Sequence, residues 1–147
     1  MPLPTLNTFF AFSLRYTTPM TREEFEAMII EELPRAVPER FRKKIKNIAF
    51  LVGDEPSDVV RREHGLSAGE TLLGLYHGIP LPERGDGYGI GATLPDTIEL
   101  YQTSIEDAAE GYQEEIRRIT RETLWHEVGH YFGLSDEEIE KREDTRI

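Results

Sequence analysis

The stretch LWHEVGHYFGLSD, residues 124–136, sets His126 and His130 four residues apart, with Glu127 beside the first, Gly133 three past the second and Asp136 three beyond that. On a helix, residues four apart lie one turn apart on the same face, so two neutral imidazoles can converge on one zinc ion at about 2.0–2.1 Å each. Gly133 is placed to end that helix in a left-handed conformation and turn the chain back. Asp136 then stands where a carboxylate can supply a third ligand, leaving the fourth position to water, the pattern of a catalytic rather than a structural zinc. Glu127 has a matching role as general base, taking a proton from the attacking water and passing it to a leaving nitrogen. A plainer explanation of Asp136 also stands, because SDEE opens a helix and an acidic residue in a first turn gains about 0.3–1 kcal/mol from the helix dipole. Glu137 and Glu138 are the other carboxylates that could fill the ligand place. The histidines too have an ordinary alternative, as two side chains on an amphipathic helix. Against it, H-E-x-x-H followed by this glycine arises by chance in only about one chain in a thousand of this composition.

Several elements must position these residues. TREEFEAMIIEEL opens on a capping box, Thr21 with Glu24, and Phe25, Met28, Ile29 and Leu33 recur at helical spacing. Pro34 and Pro38 are expected to end or kink this helix, and PERFRKKI to add a short basic turn. NIAFLVGD predicts a buried strand, residues 54–70 a polar loop, TLLGLYHG a second strand and TIELYQT a third. The alternation in TIELYQT makes it the expected sheet edge, where an extended peptide could add. Between the last two strands, residues 79–96 hold four glycines and three prolines, which predicts a mobile loop lying near the metal. A long helical pattern, with Gly111 as a break, then carries the motif, and SDEEIEKRE begins a last helix with Ser135 and Glu138 as its capping box. Tyr76, His77, Tyr101 and Tyr131 have the chemistry to hold an oxyanion, although each is equally suited to packing. Trp125 and Phe132 are expected in the core beneath the histidine helix, and His64 in solvent.

Composition bounds what this constellation can serve. A chain of 147 residues, 38% hydrophobic and 31% charged, has the make-up of one globular domain. A net charge of −11 repels polyanions, so nucleic acid is not an expected partner. The absence of cysteine excludes disulfides and thiolate ligands, leaving His, Asp, Glu and water for any metal. Sparse Asn and Gln beside abundant Glu and Arg match some heat-adapted proteins. Residues 1–19 form an N-terminal extension to a domain spanning 20–147. The extension is either an added strand, with Thr8, Phe10, Phe12, Leu14 and Tyr16 on one parity, or a leader before a native start at Met20. It has no basic n-region or cleavage pattern, and no apolar run reaches membrane-span length, so a cytoplasmic protein without a membrane partner is expected.

HEVGHYFGLSD, together with MTREEFEAMI, LLGLYHG and IELYQ, resembles the zincin metallopeptidases, in particular a small bacterial family of minimal zincin-like domains in which an aspartate stands where metzincins carry a third histidine. The resemblance implies a compact α+β fold, helices packed on a small mixed sheet, with His126, His130 and Asp136 around zinc and Glu127 as base. The likeness to full metzincins stops there: the eleven residues after Asp136 include no methionine for the turn beneath the metal, and there is no sizeable second subdomain. Two functions follow from these features. One is a zinc-dependent hydrolase acting on a peptide or related amide bond; the other is a non-catalytic zinc-binding or interaction module that keeps the fold.

Overall fold

A computed structural model describes residues 19–89 and 94–143, so the expected extension lies, except for Pro19, outside the described residues. Helix α1, Arg22–Ala36, begins with the expected capping box: the Glu24 N–H donates to Thr21 Oγ1 at 3.1 Å, and the Thr21 N–H to Glu24 Oε2 at 2.8 Å. Phe25, Met28 and Ile29 are buried along one face. Pro34 does not end this helix. It sits inside the last turn, where only one backbone hydrogen bond is lost, and Val37 still donates to the Leu33 carbonyl before Pro38 stops the chain. The basic turn follows as α2, Glu39–Arg42.

Three strands, β1 Ile48–Gly53, β2 Gly74–His77 and β3 Asp96–Tyr101, form one mixed sheet in the order β1–β3–β2. β1 runs parallel to β3, with Phe50 opposite Ile98, and β2 runs antiparallel, with Tyr76 also opposite Ile98. This order corrects two expectations. β3 is the centre of the sheet, because its Ile98 and Leu100 are fully buried beneath the helices, so β1 and β2 hold the edges. β1 is accordingly half-buried, with Leu51 exposed. The polar segment 54–70 is not all loop either: Ser57 caps a short helix, α3, Asp58–Glu63, by accepting from the Val60 N–H.

After β3 the chain enters α4, Gln102–Ala108, breaks at Gly111 with a φ of +76°, and continues as α5, Gln113–Tyr131. α5 packs against α1, β2, β3, α4 and the final helix α6, Asp136–Glu143. Leu124, Trp125 and Val128 of α5 are buried. Trp125 and Phe132 both meet the Phe41 ring, at centroid distances of 5.6 and 5.7 Å, as expected of packing beneath the histidines. No helix among the described residues is long and apolar enough to cross a membrane.

Two buried carboxylates tie these layers together. Glu32 of α1, with no exposed side-chain surface, accepts from Arg117 and Arg121 of α5, each at 2.9 Å. Asp96 of β3 accepts from the Tyr76 hydroxyl at 2.5 Å and from Arg84 at 2.8 Å. Arg84 also donates to the Ile79 and Lys46 carbonyls and lies over the Tyr88 and Tyr131 rings. The first part of the loop between β2 and β3 is thereby pinned to the sheet and to α5.

Burial alone would push the Glu32 carboxyl up, but the hydrogen bonds from Arg121 and Arg117, with Arg35 nearby, hold it below the usual glutamate value of 4.5. A carboxyl lowered on folding contributes stability above its unfolded value, and that contribution is lost as pH falls through the folded one. Glu32→Gln is expected to lower stability at pH 7 by about 1–2 kcal/mol, a modest loss because both arginines are partly solvated. Thermal melting should show the gap between the two proteins closing as pH falls below 4.5; a gap that stays constant would assign the effect to packing.

Candidate metal centre

His126 and His130 occupy successive turns of α5, their ring centroids 4.8 Å apart. The helix ends one residue after His130, at Tyr131, in a Schellman turn. The Leu134 N–H donates to the Gly129 carbonyl at 3.0 Å and the Gly133 N–H to the His130 carbonyl at 2.9 Å, while Gly133 adopts a φ of +81° that disfavours a side chain. Ser135 then caps α6 through the expected capping box: it accepts from the Glu138 N–H, and its own N–H donates to Glu138. Asp136 is therefore the first residue of α6, as the plainer explanation required, and it also reaches the histidines.

Asp136 Oδ1 stands 2.9 Å from His126 Nε2 and 3.1 Å from His130 Nε2, and the two Nε2 atoms are 3.2 Å apart. Ligands on a tetrahedral zinc with bonds of 2.0–2.1 Å are separated by about 3.3–3.4 Å, so the triangle has nearly the size one such ion requires. His130 Nδ1 faces the Leu134 carbonyl at 3.1 Å. A carbonyl only accepts, so the ring proton lies on Nδ1 and the Nε2 lone pair of the neutral ring points into the triangle. Acceptor atoms this close repel one another unless a cation or a further proton lies between them. His126, His130 and Asp136 could thus hold a metal ion. Glu137 and Glu138 do not belong to this group, and Glu138 is engaged at the cap.

Glu127 lies on the inner side of α5, only 7% exposed. In the β2–β3 ladder the Tyr101 N–H donates to the Leu73 carbonyl, so along β2 the residues in register with Leu73 bond to β3 and those between present their N–H groups to the free edge. Tyr76 is one of the latter, and its N–H donates to Glu127 Oε2 at 2.8 Å. The base candidate is therefore anchored at the open edge of β2. Burial pushes the Glu127 carboxyl above its ordinary range, against the pull of His126, His130 and the Tyr76 N–H, while Asp136 adds to the rise.

Of the four oxyanion candidates, two have engaged hydroxyls, one is buried and one is exposed. The Tyr76 hydroxyl is bound to Asp96, and burial with that hydrogen bond raises its pKa. The Tyr131 hydroxyl accepts from the Lys46 N–H at 2.9 Å. Tyr101 is buried, and burial followed by the charges of Glu99 and Glu127 raises it to about 12. His77 is exposed at the end of β2, and His64 is exposed at the end of α3. The loop between β2 and β3 does reach the end of the histidine helix, where the Pro82 ring lies 3.0 Å from the place a Gly133 β-carbon would take. Residues 90–93 of that loop lie outside the described residues.

Three contributors to the site were not expected from the sequence: the Tyr76 backbone, the Leu134 carbonyl and Gly129. Only Gly129 left a signal, since a glycine inside a helix costs about 1 kcal/mol against alanine and calls for a packing reason. That reason is α6: a β-carbon at 129 would stand 2.5 Å from Ile139 Cγ1, and Ile139 is fully buried there.

A helix bearing two histidines and a glutamate, a carboxylate returned to them by a glycine turn, and a small mixed sheet alongside define the zincin class of α+β domain. The zincin-like metallopeptidase family model matches residues 45–146, and the chain belongs to that family. The match covers the sheet, α5 and α6, and α1 precedes it. No curated protein matches the chain.

Gly129→Ala is expected to push Ile139 and α6 away from α5, lowering stability by about 1–3 kcal/mol through overpacking and weakening zinc binding because Asp136 rides on α6. Thermal melting and a zinc titration check it. A stability loss with unchanged zinc affinity would show that this packing does not govern the position of Asp136.

Proposed function

We propose that the protein is a zinc-dependent hydrolase of peptide or related amide bonds, with His126, His130 and Asp136 as metal ligands and Glu127 as general base. One observation carries this reading: a buried carboxylate, held by a backbone N–H at a sheet edge, sits on the same helix as two imidazole nitrogens that converge with Asp136. Zinc held there supplies Lewis acidity toward a carbonyl and a lowered pKa for a coordinated water. Glu127, its carboxyl raised by burial, accepts the proton of the attacking water and delivers it to the departing amine nitrogen. The Tyr76 N–H holds one carboxylate oxygen and leaves the other to move the proton. The outer edge of β2, which no strand among the described residues occupies, gives an extended substrate backbone a strand to pair with.

The purified protein is expected to bind about one zinc ion per chain. Glu127→Gln should retain that zinc and lose peptide turnover by at least about a hundredfold, the low end of a general base's contribution. Metal analysis and a peptide cleavage assay on the two proteins separate the hydrolase from a zinc-binding module, for which the substitution would change nothing measurable. Asp136→Ala should weaken zinc by at least about 10–100-fold, with Asp136→His restoring binding. Loss of a helix-dipole contact alone would leave zinc affinity unchanged and lower stability by less than about 1 kcal/mol.

A further inference from the structure

A groove of about 430 Å³ opens beside the proposed catalytic centre and is lined in part by His126 and Glu127. One wall is a single stripe of α5: Ile119, Glu122 and His126 follow at helical spacing, with Glu122 one turn, or about 6 Å, before His126. Leu72 and Leu73, leading into the edge strand β2, form the apolar side opposite. Glu140 of α6 completes the lining, so carboxylates from two helices stand along a trough that also carries the apolar side chains of Leu72, Leu73 and Ile119. Among the described residues no lysine or arginine lines it. Among the described residues Glu122 is held only by an exposed ion pair with Arg118, of a kind worth little in water, and Glu140 has no ion pair.

The geometry points to a subsite for a long basic side chain, lysine or arginine, on a substrate residue flanking the scissile bond. The inference rests on the hydrolase reading above and adds its substrate class. An aliphatic stem can lie along Ile119, Leu72 and Leu73, and the cationic head reaches Glu122 and Glu140, an arrangement suited to side chains that are apolar along their length and charged at the tip. An acidic side chain would instead face Glu122, Glu140 and Glu127 together, and a neutral apolar one would fill the trough without meeting its charge.

The test uses the zinc-loaded protein and matched fluorogenic peptides carrying Lys, Arg, Leu or Glu on either side of one cleavable bond. Lys and Arg peptides should exceed the Glu peptide in kcat/KM by about tenfold or more, with the gap narrowing in high salt, and Glu140→Lys should reduce or reverse the order. A second arm measures binding of the labelled Lys and Glu peptides to zinc-loaded Glu127→Gln protein and needs no turnover. Cleavage with equal preference for Lys and Glu overturns the subsite and leaves the hydrolase reading standing. Preferential binding of the Lys peptide, lost in Glu127→Gln/Glu140→Lys, supports the subsite even if no peptide is cut, in which case the hydrolase reading fails. Equal binding of the two peptides overturns the subsite whatever the turnover.

Discussion

Gly129 and Ile139 touch so closely that no β-carbon fits at position 129, and this contact seats the helix that carries Asp136 against the helix that carries the histidines. The two histidines come from one helix and would meet at any spacing of four, but the aspartate begins a different helix that must be folded back across the first. The glycine inside α5 removes the β-carbon that would stand 2.5 Å from Ile139, so α6 settles against α5 and its first residue arrives between the imidazoles. The Schellman turn at Gly133 supplies the reversal, while the buried Ile139 supplies the depth.

On the other side of α5 the sheet plays the corresponding part for Glu127. Tyr76 makes two connections from one residue: its backbone N–H holds the Glu127 carboxylate, and its hydroxyl is held by Asp96. Asp96 also binds Arg84, which stitches the following loop to Lys46 and the Tyr131 ring. The edge strand is thus fixed from behind, and among the described residues no strand pairs with its outer side. The residue that orients the proposed base and the edge offered to a substrate belong to the same short strand.

Three buried carboxylates in an acidic chain show how placement determines charge. Two arginines surround Glu32 and hold its pKa down despite burial. Asp96 meets one arginine and one phenol, and that arginine, disfavoured as a cation by burial, has its pKa raised by the pairing. Among the described residues no arginine or lysine meets Glu127; burial raises it, and the two neighbouring histidines and one amide only partly offset the rise. The first two arrangements join layers of the fold. The third leaves a carboxyl suited to accept and release a proton, at the cost of a carboxylate buried without a full counter-charge.

Much of this molecule was legible from local pattern. The capping boxes at Thr21 and Ser135, the break at Gly111, the apolar face of α1 and the turn spacing of His126 and His130 all depend on contacts within a few residues, whose geometry the helical repeat dictates. The acidic run Asp136, Glu137 and Glu138 in the first turn of α6 was equally clear, but whether Asp136 only favoured the helix dipole or also reached the histidines turned on how α6 crosses α5. The order of the strands was not legible. The alternation of TIELYQT suits an edge, yet β3 lies in the centre, because the helices cover its inner face and strands from two distant segments flank it. By itself the sequence determined a helix presenting two imidazoles and a carboxylate at helical spacing, and a turn able to return a third ligand. Tertiary structure alone decided that Asp136 meets both rings, that Glu127 rests on an amide 51 residues earlier in the chain, and that β2 forms the open edge. Those contacts join segments far apart in sequence, and their distances follow from packing angles and strand order, which no local periodicity encodes.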